Sequence, residues 1–179
     1  MKSNNVVMEE TYDEYRPYQL DNLPNESKFY FGHIIKWSQD LRPNYVLLAG
    51  ERNDMSPIIA ESIGAKIVLT TGLRDADFIW DFNKITPINK TFDLIISQSI
   101  LEHILDPFGF VRSLVSLLNR EGHLILHSVL PPFPYHRVPI DCLRFFPDWF
   151  EAISKKLDID IIHKAKWDLH LIYMYRRGQ

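Results

Sequence analysis

The sequence predicts an α/β domain. The expected architecture is a mostly parallel seven-stranded sheet with helices on both faces and an antiparallel hairpin at its C-terminal end. Three observations carry this. Short continuous apolar runs, YVLLAG, KIVLTTG, FDLIISQS and GHLILHSVL, alternate with helix-length segments, as buried parallel strands joined by crossovers require. The intervening segments carry helix punctuation, notably Asp106-Pro107 and Pro147. The last two β-rich runs, DIDIIHKA and HLIYMYRR, are separated only by a polar turn, so they must pair antiparallel.

Taken in order, residues 1–25 are polar, tyrosine-bearing and broken by Pro17 and Pro24, and read as a tail or lid ahead of a domain over 26–179. Tyr12, Tyr15 and Tyr18 would pack rings on the domain surface or cover a ligand. From Ser27 to about Leu41 the spacing of Phe31, Ile34, Ile35 and Trp37 predicts an amphipathic helix, capped by Ser27 and stopped by Pro43. YVLLAG follows as the first strand. MSPIIAESIG is a helix closed by Gly64, and KIVLTTG is the second strand. ADFIWDFN reads as a short third strand or extended piece, and FDLIISQS as the fourth strand. DPFGFVRSLVSLLNR is a helix with Asp106 as cap, GHLILHSVL is the fifth strand, and PDWFEAISKKL is a helix before the final pair.

Composition narrows the function classes. Of 179 residues, 46% are hydrophobic, ample for one buried core. A net charge of -3 argues against general affinity for nucleic acid. One cysteine, Cys142, precludes a disulfide framework and a thiolate zinc site within a chain, and fits a reducing compartment. No apolar run is long enough to span a bilayer, and the start of the chain has no signal-peptide core. The expectation is a cytoplasmic protein with no membrane or nucleic-acid partner; its oligomeric state is not legible. The seven histidines are dispersed without metal-ligand spacing, so no metal site is expected. Cys142, flanked by Ile140-Asp141 and Leu143, reads as packing.

In an open α/β sheet a ligand lies beyond the carboxyl ends of the strands. Four stretches meet there: Gly50 to Asp54, Thr70 to Leu73, Trp80 to Asn83 and Ser97 to His103. The segment after the fifth strand, YHRVPIDCLRFF, overhangs the same crevice. It combines His136, Arg137, Asp141 and Arg144 in a stretch from Pro131 to Pro147 with five prolines, each fixing φ. A histidine near an aspartate suits a general base on a hydroxyl, and an arginine suits an anionic substrate group. Asp141 and Arg144 are equally the natural partners of an internal ion pair that pins the loop.

FDLIISQSILEH, the LLNREGHLIL step and YHRVPIDCLRFFPDWF together resemble the second half of class I S-adenosylmethionine (SAM) methyltransferases of the type-11-like group, which have a Rossmann-like fold. The resemblance spans roughly Asn44 to Arg177. It implies SAM as cofactor, with Gly50, Glu51, Asp54, Thr71, Asp81, Ser97 and Gln98 around it. Within VLLAGERND, Gly50 matches the first glycine of the family's loop, while Leu48, Arg52 and Asp54 depart from the acidic residue and later glycines. The second strand ends in Thr70, Thr71 and Gly72, where the family has a ribose-binding carboxylate. Glu102 and His103 correspond to the family's LEH step, read either as local structure or as a catalytic base. The H…P.D…RF pattern resembles one in methyltransferases of glycan modification, implying His136 or His103 as catalytic base, and Arg137, Asp141 and Arg144 at the substrate. The implied function is O-methylation of a sugar, glycan or other small polar metabolite. The alternative is a methyltransferase-fold binding or scaffold protein that has lost SAM.

Overall fold

The computed structural model describes residues 8–9, 25–50, 56–137 and 139–178. Its elements are β1 (Met8–Glu9), α1 (Asn25–Ser38), β2 (Tyr45–Ala49), α2 (Ser56–Ile63), β3 (Ile67–Gly72), β4 (Phe78–Ile79), β5 (Phe92–Gln98), a 3-10 turn (Leu101–His103), α3 (Pro107–Ser116), β6 (Leu118–Val129), α4 (Pro147–Leu157), β7 (Ile159–Trp167) and β8 (His170–Arg177). All strands join one sheet in the order β1-β7-β8-β6-β5-β2-β3-β4. The four apolar runs expected to be parallel neighbours are so, as β6-β5-β2-β3. β8 pairs antiparallel with both β6 and β7, which makes it the one reversed strand among those described.

The strand period of two sorts side chains onto two faces. In β2, Leu47 and Ala49 point to one layer and Val46 and Leu48 to the other; in β8, Leu171, Tyr173 and Tyr175 oppose Ile172 and Met174. Helices α3 and α4 cover the first face with Phe110, Leu114, Phe150 and Ile153. Helices α1 and α2 cover the second with Phe29, Ile34, Ile59 and Ile63. The central strands β2, β5 and β8 and the second half of β6 are therefore buried on both sides, which is why the sequence shows unbroken apolar runs there instead of alternation.

Local signals set most boundaries. The Asp106 carboxylate accepts from the Gly109 N–H at 2.9 Å, capping α3 with Pro107 in its first turn. Gly64 closes α2 at φ +64°, where a side chain is disfavoured. Four boundaries differ from the sequence expectation. Helix α1 starts at Asn25, so Ser27 lies inside it, with its hydroxyl 2.7 Å from the Tyr30 hydroxyl. The third strand shrinks to two residues, because the chain turns at Asp81, where the Lys84 N–H bonds the Asp81 carbonyl. β6 begins at Leu118 instead of Gly122, since the register shift opposite Phe92 and Leu94 absorbs the intervening residues into the ladder. Finally, Met8–Glu9 adds a short parallel edge strand to β7, within the segment read as tail or lid. Tyr12, Tyr15 and Tyr18 lie outside the described residues.

Candidate functional site

The carboxyl ends of β2, β3, β5 and β6 open on one edge of the sheet, and the turn after β5 and the loop after β6 rise over it. Gly50 ends β2 at φ +85°, its N–H bonded to the Thr71 carbonyl at 2.7 Å. A Cβ there would stand 2.2 Å from Ile100 Cδ1, so glycine is required both by conformation and by close approach. At the end of β5, Ser97 Oγ and Gln98 Oε1 are buried without a hydrogen-bond partner. Unpartnered buried polar atoms are rare in folded proteins, and these two residues lie at the carboxyl end of β5, the end of the sheet where a ligand binds in such folds.

The loop after β6 is tied to the 3-10 turn. Cys142 and Leu143 donate their N–H groups to the Glu102 carbonyl, and Phe145 donates to Val129. His103 Nδ1 bonds the Ile140 carbonyl. Since a carbonyl only accepts, Nδ1 carries the proton and Nε2 the lone pair. Inside the loop, Arg144 uses all five N–H donors. Nε reaches the Phe133 carbonyl at 3.1 Å, Nη1 reaches Leu143 O and Asp141 Oδ1, and Nη2 reaches Pro134 O at 2.8 Å and Asp141 Oδ2 at 2.7 Å. The buried Asp141 also accepts the His136 N–H at 2.7 Å. These bonds, Arg144's first, hold the Asp141 carboxyl well below the usual carboxylate range. Asp141 and Arg144 thus form the clasp of the loop, with every Arg144 donor spent inside it. Arg137 is exposed, with Nε bonded to the Pro139 carbonyl.

The clasp delivers His136 to the turn after β5. Its Nε2 lies 3.8 Å from Glu102 Oε1, too far for a hydrogen bond, and its Nδ1 lies 3.2 Å from the Pro134 carbonyl and 3.5 Å from Asp141 Oδ2. Glu102 is 0% exposed; Ser128 donates to its Oε2 at 2.7 Å, and Oε1 has no hydrogen-bond partner. The His103 and His136 rings meet edge-to-face at 4.9 Å. One ligating atom from each of Glu102, His103 and His136 lies within 4.8 Å of the other two. The linear spacing of histidines and carboxylates showed no metal-type cluster, but the fold assembles one from a turn and a distant loop.

No protein-family model matches the sequence, and no curated protein matches it. Solved structures do. TehB from Haemophilus influenzae superposes with TM-score 0.65 at 12% identity, over 83% of this chain and 62% of that one. An O-methyltransferase family protein from Burkholderia thailandensis gives 0.67 at 6% identity, over 87% of this chain and 57% of that one. The chain thus spans less than two thirds of the length of either. The N-methyltransferase NodS from Bradyrhizobium japonicum gives 0.63 at 14% identity, over 89% of this chain and 100% of NodS, and it has also been solved with S-adenosylhomocysteine. The fold is that of the class I SAM-dependent methyltransferases.

In a methyltransferase fold of this class the remaining expected cofactor residues can be judged by their bonds. Thr71 is fully buried and its hydroxyl donates to the Phe78 carbonyl at 2.9 Å, while the Thr70 hydroxyl donates to Asp77 at 3.0 Å. Thr71 is therefore a packing residue, and the end of β3 presents no unspent carboxylate among the described residues. Asp81 serves the turn after β4: its carboxylate accepts from the Asn83 N–H at 3.1 Å and pairs with Lys84 at 3.2 Å. The Asn83 N–H is the main cause of its lowered pKa. Glu51 and Asp54 lie outside the described residues. Gly50, Ser97 and Gln98 remain: a glycine against which the Ile100 side chain packs, and two buried polar atoms with no hydrogen-bond partner.

Sequence reasoning weighed Glu102 as a helix-entry carboxylate; its burial with an unmet oxygen came only from the fold. It passed over a second polar chain. Ser99, at φ +50°, has its hydroxyl 3.0 Å from His127 Nδ1, and His127 Nε2 lies 3.2 Å from His170 Nδ1. Burial, with His170 next, holds the His127 pKa well below its usual value. The available signal was a histidine inside the apolar run HLILHSVL.

Proposed function

We propose that the protein is a SAM-dependent methyltransferase acting on a hydroxyl of a small polar acceptor, a sugar or glycan unit being the class that fits best. The observation that carries this reading is the fully buried Glu102 carboxylate facing His136 at 3.8 Å, beyond the carboxyl ends of the strands in a methyltransferase fold. When bound, SAM supplies an electrophilic methyl group on a sulfonium. Gly50, at the turn after β2, and the two unmet polar atoms of Ser97 and Gln98 would hold it. His136 and His103 are the catalytic pair. Each has Nδ1 against a backbone carbonyl, so each presents Nε2 as an acceptor. Together with Glu102 they form an acceptor-only pocket in which a substrate hydroxyl loses its proton. His136, 35% exposed, is the member that meets the acceptor. Arg137, exposed on the outer rim, is placed to meet an anionic group of the acceptor. The fixed loop supplies positioning, which is worth more than any single contact in a transfer of this kind.

Calorimetric titration with SAM and with S-adenosylhomocysteine tests the reading. Both should bind, more weakly than in enzymes with a ribose carboxylate. Each charge-assisted bond is worth roughly 1.5–3 kcal/mol, or about one to two decades of affinity. Absence of heat at millimolar ligand would replace this reading with that of a methyltransferase-fold binding protein, which the spent hydroxyls of Thr70 and Thr71 favour. The single cysteine supports a reducing compartment such as the cytoplasm. Among the described residues no helix is long and apolar enough to cross a membrane.

A further inference from the structure

We propose that Glu102, His103 and His136 form a binding site for a divalent transition cation, with zinc the best match. The argument starts from an electrostatic deficit. Three acceptor atoms converge within 4.8 Å: a carboxylate oxygen and two ring nitrogens. None has a donor between them. Glu102 Oε1 is buried and unpartnered, and the 3.8 Å to His136 Nε2 is too long for a hydrogen bond. A buried carboxylate oxygen without a partner carries a large desolvation cost, and a bound cation removes it.

The surroundings have the form of an outer coordination shell. His103 Nδ1 is held by the Ile140 carbonyl, and His136 Nδ1 faces the Pro134 carbonyl and the Asp141 carboxylate. Glu102 Oε2 is held by the Ser128 hydroxyl. Each candidate ligand is thus oriented through its far atom, with the near atom left for a metal, the arrangement that fixes ligand tautomer and direction. Arg144, the guanidinium of the same loop, is paired with both oxygens of Asp141. Two histidines and one carboxylate are a ligand set that takes zinc and leaves a fourth position open. Tetrahedral ligand atoms about 2.0–2.2 Å from zinc lie roughly 3.3–3.6 Å apart, so atoms now within 4.8 Å of one another need to close by up to about 1.5 Å. His136, 35% exposed, gives both the freedom to close and the route of entry.

The consequence rests on the proposed function and replaces its base: with the two ring nitrogens and Glu102 Oε1 bound to the cation, the histidines hold the metal and do not take the proton themselves. An acceptor hydroxyl in the open position loses its O–H proton to solvent water at neutral pH, because the cation stabilises the oxyanion. The oxygen keeps the electron pair that forms the new bond to the methyl carbon, as the methyl–sulfonium bond of SAM breaks with its pair going to sulfur and S-adenosylhomocysteine leaves.

The test is titration of the full chain, stripped with chelator, with Zn2+ against a chromophoric competitor, and with Co2+ followed by absorption. The expected result is one Zn2+ per chain and a four- or five-coordinate cobalt spectrum. Glu102→Gln, His103→Asn and His136→Ala should each weaken binding at least tenfold, and Ser128→Ala about 10–100-fold as an outer-shell change. Glu102→Gln keeps the shape and removes the unmet charge, so its metal-free form should melt no lower than the parent, which guards against misfolding as the cause. No binding, or binding unchanged in Glu102→Gln, overturns the site. SAM titrations run beside these separate the two ideas. Zinc without SAM binding keeps the site and removes the methyltransferase reading, and SAM without zinc does the reverse.

Discussion

At the residue scale, two neighbours in one loop have opposite roles. All five donors of Arg144 are used within the loop, and Asp141 is almost wholly buried beneath it. Arg144→Ala should therefore lower unfolding stability by roughly 1–3 kcal/mol, the cost of leaving a buried charge partner and several carbonyls unmet. Lysine should rescue little, since a point charge cannot reproduce the fork. His136 gives the clasp its backbone N–H, a bond that survives truncation, and loses only an exposed ring hydrogen bond of 3.2 Å to the Pro134 carbonyl. His136→Ala should leave the melting temperature nearly unchanged and abolish turnover once an acceptor is found. Urea denaturation of both variants decides; a destabilised His136→Ala with a stable, inactive Arg144→Ala would show the roles exchanged. That Arg144 pairs with Asp141 was legible in the spacing of three residues within a proline-rich stretch. That His136 then faces Glu102 was not, since nothing local relates a loop to a turn a whole helix and strand earlier.

At the element scale, the secondary structure follows from short signals wherever those signals are chemical. Asp106 and Pro107 start α3 because the carboxylate satisfies one free N–H and the proline has none to satisfy. Asp106→Ala should cost about 0.5–2 kcal/mol, read as a lower urea midpoint at unchanged slope. The effect should be local, leaving SAM or zinc affinity intact, because the cap touches neither Gly50 nor Glu102. Where signals are only apolar, boundaries move. GHLILHSVL gave the strand but not its start at Leu118, because the residues before Gly122 enter the ladder through an irregularity opposite Phe92 and Leu94. β4 is two residues long because the Asp81 turn ends it, although the apolar content of ADFIWDFN would allow a longer strand.

At the scale of the whole molecule, burial sets the pH response. The unfolded chain protonates His127 below about pH 6.5, whereas the folded chain resists, chiefly because burial penalises the charged ring and then because His170 lies beside it. Stability from this residue is full above the unfolded value and is lost as pH falls below it, by at most about 1.4 kcal/mol per pH unit. His123, lowered for the same first reason, adds to the trend. The carboxylate of Asp141, lowered by Arg144, contributes in a separate window, losing its stabilisation only as pH falls below about 4. Melting temperature should therefore drop between pH 7 and 5, and His127→Gln should flatten that drop. A profile unchanged by His127→Gln would show that the ring is protonated in the fold.

The sequence by itself determined the layers: which runs are strands, that four of them are parallel neighbours, that the last pair is antiparallel, and that the loop after the fifth strand is stiff. These follow from periodicity, proline and the length of connections, which act over a few residues. Only the tertiary structure decided which polar atoms are met and which are not. Thr71 and Arg144 looked available and are spent; Glu102 looked like a routine helix-entry acid and is buried with an unmet oxygen beside two histidines. Whether a polar atom is satisfied depends on groups brought from far along the chain, and that pairing is fixed by sheet order and crossover, which no local pattern encodes.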